Sequence, residues 1–284
     1  MKLITIDLGG RSAAAIAATE GRAWILGDRQ DPAFADVGEI IRGGHLEDLG
    51  ALAWRVGDEV SFAQADLLAP VLEPGAVFCV GLNYRSHILE MDRPLPAAPT
   101  IFDKLPRALT HPYAELVIPK AGSNALDYEG ELCVVIGKGG RNIPVEDGMA
   151  AVAGFAVLND VTMRDYQQRS MQWFAGKSWQ NSTPWGPALV TVDEMGQLGH
   201  QELLVSVNGD KRQQGKLGDL VFGVPELVSD LSTFVELYPG DLIATGTPGG
   251  VGEAMTPKGY LADGDVVEVS IDGVGTLRNQ ITVR

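Results

Sequence analysis

Two carboxylates give the first chemical signal. Glu129 and Glu131 flank Gly130 in LDYEGELCVVI, an apolar run of strand type. On a strand, residues two apart share one face, with Cα atoms about 7 Å apart. Two like charges aimed into one crevice repel unless a cation or a proton lies between them. A hard metal is the economical answer; a solvated pair on the surface is the plainer alternative, since exposed glutamates are commonplace. Gly130 frees the backbone to sit close to a neighbour. Asp160 offers a third carboxylate, because the apolar run GFAVLND ends on it, where sheet proteins usually hold ligands. Three carboxylates completed by water suit octahedral Mg²⁺ or Mn²⁺. Zinc has little to build on, with no HExxH, no CxxC and only 4 His in the chain.

A base and several cations accompany these acids. His87 and Glu90 lie at i, i+3 in GLNYRSHILEM, so on a helix they meet on one face. A carboxylate beside an imidazole orients it and favours its protonated form, the arrangement of a general base acting on water. A surface pair at this spacing is equally ordinary. Lys104 closes the run TIFDK, and Lys177 sits among Trp173, Trp179 and Trp185. A lone lysine is usually a solvated charge, but among tryptophans Lys177 could hold a substrate carboxylate or a developing oxyanion. The turn Ala244–Gly252 (ATGTPGGVG) could cradle an anion on its N–H groups or be a plain tight turn. It lacks the GxxxxGK[ST] spacing of a nucleotide loop. Cys79 and Cys133 each lie inside apolar runs and read as buried, unpaired thiols.

The elements that must position these groups are mostly strands. Apolar runs recur at 77–81, 131–137, 153–159, 187–192, 203–207, 241–245, 265–271 and 275–283, separated by Gly, Pro, Asn or Asp. Helical stretches are few: 84–91, 145–151 and 225–237, the last opened by Pro225. The fold class is therefore mainly β with short helices, an α+β barrel or rolled sheet. Ahead of it, 2–7, 13–18 and 23–26 read as a small meander, and 36–55 as an amphipathic helical pattern broken at Gly43–Gly44. The Pro-punctuated stretch 69–75 then divides a small N-terminal α/β unit, 1–70, from a catalytic domain, 71–284.

Composition narrows the partners. A net charge of −15 repels phosphate backbones, which argues against nucleic acid. A local cation can still invert that sign within one pocket, so a small anionic substrate remains compatible. Neither a leader-like h-region nor an apolar run of about 18 residues is present, and the chain reads as soluble and cytoplasmic, with no membrane partner.

Together these segments resemble the fumarylacetoacetate hydrolase family, in its acylpyruvase and fumarylpyruvate hydrolase-like branch. The resemblance rests on GLNYRSHILEM, PTIFDK, DYEGELCVVIGK, GFAVLNDVTMRDYQ, GKSWQNSTPWGP and ATGTPGGVG, in the family's order. It implies a mixed β-roll, a homodimer, and Mg²⁺ or Mn²⁺ held by Glu129, Glu131 and Asp160, with Ca²⁺ as a substitute under crystallisation conditions. It also implies that His87 and Glu90 activate water and that Arg85, Lys104, Arg164, Gln167 and Thr247 contact substrate, alongside Lys177. Gln180, where the family often has an acid, and Gly249 depart from the pattern.

The expected reaction is hydrolysis of a C–C bond in a 2,4-dioxo acid such as an acylpyruvate or fumarylpyruvate. His87, oriented by Glu90, takes a proton from water, Lys177 stabilises the oxyanion, and pyruvate leaves as an enolate held by the metal. Oxaloacetate decarboxylation and 2-hydroxymuconate-type isomerisation or decarboxylation would use the same centre. An inert small-molecule binding module would show a broken ligand set, whereas this set is whole. The segment 86–113 and the strand-tip loops are expected to form the lid and pocket wall.

Overall fold

The computed structural model describes residues 1–19, 21–27, 31–46, 48–49 and 59–284. Strands Gly130–Ile136 and Val152–Asn159 are buried at every residue. Strands covered on both faces carry such continuous apolar runs, and these two lie inside a twelve-stranded sheet. From one edge its order runs Glu59–Ser61, Arg22–Ile25, Ser12–Thr19, Lys2–Asp7, Thr183–Thr191, Val152–Asn159, Gly130–Ile136, Leu242–Ala244, Val77–Gly81 and Thr100–Lys104. Two short strands, Leu67–Leu68 and Leu109–Thr110, pair off this path.

A five-stranded sheet rolls over part of that layer, in the order Asp210–Lys216, Glu202–Val207, Val266–Ile271, Gly275–Val283, Leu116–Ile118. Glu202–Val207 and Val266–Ile271 alternate buried with half-buried residues, as strands do with one face on a core. Leu203, Val205, Val269 and Leu277 pack there against Leu132, Val134 and Val157 of the larger sheet. The helix Val224–Phe234 adds Leu227, Val228 and Leu231 to the same core. The protein is thus mostly β with a few short helices, as its sequence pattern implies.

The apolar runs all become strands, with the run at 187–192 extending back to Thr183. The stretch 145–151 is two 3₁₀ turns, Val145–Asp147 and Met149–Ala151, in place of a helix. Pro144 precedes the first, and a glycine, Gly148, lies between the two. In the N-terminal part, Asp36 caps a helix over Val37–Arg42 through the N–H of Glu39, and Gly43–Gly44 end it. The rest of the expected 36–55 pattern falls partly on residues 47 and 50–58, outside the described residues.

The meander strands Lys2–Asp7, Ser12–Thr19 and Arg22–Ile25 join the larger sheet. Lys2–Asp7 pairs antiparallel with Thr183–Thr191 in the register Leu3↔Leu189. Leu3, Val37 and Ile40 share one core with Val77, Cys79, Cys133 and Leu189. The two cysteines are buried and free. No helix among the described residues is long and apolar enough to cross a membrane.

Candidate active site

Strand pairing assembles the acids. Gly130–Ile136 and Val152–Asn159 run antiparallel in the register Gly130↔Asn159, so Glu129 and Asp160 meet where both strands end. The N–H of Asp160 donates to the Glu129 carbonyl at 2.8 Å, and the N–H of Glu129 donates to Asn159 Oδ1 at 3.0 Å. A Cβ on Gly130 would lie 2.5 Å from Val205 Cγ2 and 2.9 Å from Val269 Cγ1. Only glycine lets the five-stranded sheet come this near. Glu129, Glu131 and Asp160 are buried, and one carboxylate oxygen from each lies within 4.8 Å of the others.

Cations compensate two of the three. Arg164, from the one-turn helix Arg164–Gln167, places Nη2 2.6 Å from Glu129 Oε1 and donates from Nε to Asp127. Lys177, from Phe174–Lys177, holds Glu129 and Asp160 together, the latter at 2.7 Å. A Cβ on Gly176 would lie 2.5 Å from Gln167 Cβ, so the glycine sets these two helical turns against each other. Lys104 donates to Asp160 Oδ1 at 2.6 Å and to the Val161 carbonyl.

Glu131 is different: its hydrogen bond comes from the N–H of Gly246 at 2.7 Å. Burial first, then repulsion from Asp160 and Glu129, pushes its carboxyl well above the usual range. Burial also acts against ionised Glu129, but Arg164 and Lys177 outweigh it and hold that group at about 2. For Lys177, burial opposes the charge, yet Asp160 and Glu129 raise it to about 12. The donor set is oxygen only, anionic, and short of one positive charge at Glu131. It fits a hard divalent cation such as Mg²⁺ or Mn²⁺.

An imidazole stands beside this centre. His87 and Glu90 occupy the helix Arg85–Glu90, with His87 Nδ1 3.3 Å from Glu90 Oε2. The N–H of Gly250 donates to both Glu90 oxygens, at 3.0 and 3.1 Å. The glycine-rich turn therefore does cradle anions, and they are the protein's own carboxylates, Glu131 and Glu90. A cleft of about 270 Å³ opens over the centre, with His87, Glu129, Glu131, Arg164, Gln167, Lys177 and Thr247 in its lining.

The structure does not bring every expected group to this cleft. Arg85 is exposed and outside the lining, and Lys104 is buried against Asp160, also outside the lining. Trp173 lines the cleft, packed edge-on against Phe102, whereas Trp179 packs on Tyr166 and Trp185 is buried elsewhere. Gln180 lies on a different groove.

Three contributors carried no sequence signal. Asp127 accepts from Arg164 and from the N–H groups of Gly252 and Glu253. Gln213, on the polar strand Asp210–Lys216, accepts from the N–H of Gly130 and donates to Thr247 Oγ1 and the Pro248 carbonyl. Arg93 lines the cleft from the loop after the His87 helix.

Fold and site together define a class: β-roll enzymes with a buried carboxylate centre fit for a divalent cation and an imidazole on the cleft wall. The chain belongs to the fumarylacetoacetate hydrolase family, whose C-terminal domain model, "Fumarylacetoacetate (FAA) hydrolase C-terminal", matches residues 76–282. It is 40% identical over 245 residues to the oxaloacetate tautomerase YisK of Bacillus subtilis (strain 168), covering 84% of this chain and 81% of that one. It is also 40% identical over 215 residues to the 2,4-didehydro-3-deoxy-L-rhamnonate hydrolase of Sphingomonas sp. (strain SKA58), covering 75% of each. The solved structure of the fumarylacetoacetate hydrolase from psychrophilic Exiguobacterium antarcticum superposes with a TM-score of 0.88 at 35% identity, over the full length of both chains.

Proposed function

We propose that the protein is a divalent-cation-dependent tautomerase that interconverts the keto and enol forms of a small 2-oxo dicarboxylate of the oxaloacetate type. The observation that carries this reading is one imidazole, His87, in the same small cleft as the carboxylate centre. The 40% identity to an oxaloacetate tautomerase supports it.

Glu129, Glu131 and Asp160 would hold the cation. Bound there, it supplies Lewis-acid polarisation of the 2-oxo group, which acidifies the protons on C3. Lys104, Arg164 and Lys177 hold Glu129 and Asp160 in place. Glu90 engages Nδ1 of His87, which leaves Nε2 to face substrate. His87 then takes a proton from C3 and returns one to the 2-oxo oxygen. A C–H bond breaks and an O–H bond forms, with no change in oxidation state. A positioned base of this kind contributes about 10²–10⁴-fold.

The test is enol-to-keto conversion of oxaloacetate followed by the enol's ultraviolet absorbance, with Mg²⁺, Mn²⁺ or EDTA. The reading expects catalysis abolished by EDTA. In His87→Ala, turnover should fall about 10²–10⁴-fold while the thermal shift on adding Mn²⁺ persists. Pyruvate release from acetylpyruvate or fumarylpyruvate, without acceleration of the oxaloacetate equilibrium, would overturn it.

That outcome would support the second reading, hydrolysis of a 2,4-dioxo acid, in which His87 activates water. The same His87–Glu90 pair favours it, as does the likeness to a hydrolase. Lys177 gives two of its three N–H donors to Glu129 and Asp160, leaving one for an oxyanion. Pyruvate formed from oxaloacetate itself would instead indicate decarboxylation.

A further inference from the structure

The cations around the cleft are not equivalent. Arg164 is committed to Asp127, Glu129 and Gln167, and Lys177 to Glu129 and Asp160. His87 has Glu90. Arg93 is exposed, lines the cleft, and has no carboxylate within ion-pair distance among the described residues. A third lining acid, Glu253, is engaged by other partners: Lys258 at 3.0 Å, the Tyr260 hydroxyl and Gln168.

The placement of Arg93 is built into the helix that carries the base. Asp92 has φ +50, a left-handed conformation directly after the helix Arg85–Glu90 and Met91. Its N–H donates to the Leu89 carbonyl, and the N–H of Arg93 donates to the Ile88 carbonyl, both at 3.1 Å. These two bonds form a Schellman motif, in which the chain is turned back and locked onto the last helical turn. Arg93 therefore begins from a backbone fixed relative to His87, six residues earlier. A guanidinium with no ion-pair or hydrogen-bond partner among the described residues, on a backbone tied to the base, suits a second anionic group on the substrate.

We propose that Arg93 is a specificity-determining residue that receives the distal carboxylate of the substrate and selects 2-oxo dicarboxylates over 2-oxo monocarboxylates. The inference rests on the tautomerase reading above. It divides the substrate between two anchors: the 2-oxo acid head at the carboxylate centre and the far carboxylate at Arg93. Removing Arg93 should then weaken binding of the dicarboxylate without touching recognition of the head.

The experiment compares KM for oxaloacetate with the inhibition constant of pyruvate, which has the head alone, in the Mn²⁺-loaded wild type and in Arg93→Ala, Arg93→Lys and Arg93→Glu. Arg93→Ala should raise KM about tenfold, the scale of one hydrogen bond to a charged group, with kcat within about threefold and pyruvate inhibition unchanged. Arg93→Lys should recover part of the loss and Arg93→Glu should deepen it. Equal effects on oxaloacetate and pyruvate, or no effect on either, would overturn the assignment of Arg93 while leaving the tautomerase reading intact. A wild type that binds pyruvate but does not turn over oxaloacetate would overturn both.

Discussion

Glu131→Gln separates two contributions that usually travel together. In the metal-free protein, Glu129 faces Arg164 and Lys177, and Asp160 faces Lys104 and Lys177, while Glu131 has the Gly246 N–H and two like charges. Glutamine keeps the shape and an oxygen for Gly246, and its NH₂ can donate to the neighbouring carboxylates that now repel. Replacing an under-compensated buried group by one that can be satisfied is worth about 1–3 kcal/mol. At roughly 2–4 °C per kcal/mol for a chain of this size class, the variant in EDTA should melt about 2–12 °C above wild type.

With the divalent cation the order reverses. Wild type at a concentration of one hundred times Kd gains about 2.7 kcal/mol, or roughly 5–10 °C. Glutamine offers a neutral oxygen in place of an anion, and the shift should vanish. Differential scanning calorimetry at fixed protein concentration, with EDTA and then across a Mn²⁺ series, reads both effects. A variant that melts below wild type in EDTA, yet still gains stability from Mn²⁺, would show that Glu131 is neither under-compensated nor a ligand.

Three other substitutions probe the supports. Lys104→Met strips buried Asp160 of its 2.6 Å partner, and breaking a buried pair costs about 3–5 kcal/mol; urea unfolding should show that loss, and one below about 1 kcal/mol would refute the pairing's role. Gly250 has φ +100 and a hypothetical Cβ 2.1 Å from the Arg212 carbonyl oxygen. Gly250→Ala should therefore destabilise by about 2 kcal/mol or more and displace Glu90. The neighbouring Gly249→Ala, whose nearest atom is Glu90 Oε2 at 3.4 Å, should stay within about 1 kcal/mol, and equal effects would refute the steric argument.

How much of the site was legible depended on whether its cause was local. Glu129 and Glu131 could be found because strand period and Gly130 act within three residues, and Asp160 because it ends an apolar run. Their union could not be read that way: it depends on the register Gly130↔Asn159, a choice of partner among many similar strands. Lys104 and Arg85 failed as cleft residues for the same reason. A lysine's burial is decided by a carboxylate 56 residues away, and an arginine's exposure by which helix face meets the sheet. The strand Asp210–Lys216 shows two buried residues, Gln213 and Gly215, among its seven, so its sequence carries no apolar alternation to detect. Its one functional side chain, Gln213, matters through bonds to Gly130 and to the glycine-rich turn, 83 and 34–35 residues away.

The charges explain why an acidic protein can receive an acidic substrate. Four buried carboxylates, Asp127, Glu129, Glu131 and Asp160, are set against three buried cations, Lys104, Arg164 and Lys177. Fully ionised, they leave one unit of negative charge, which adds to the repulsion from a net charge of −15. A divalent cation bound there would turn that excess into one unit of positive charge, at the point where the head of a 2-oxo acid would bind. Were all the acids paired, the metal-free centre would be neutral, and the cation would gain little by binding. Leaving Glu131 short of a partner would couple the two events: the imbalance that disfavours the metal-free site is the one a bound cation would relieve, and its relief would open the cleft to the substrate's charge.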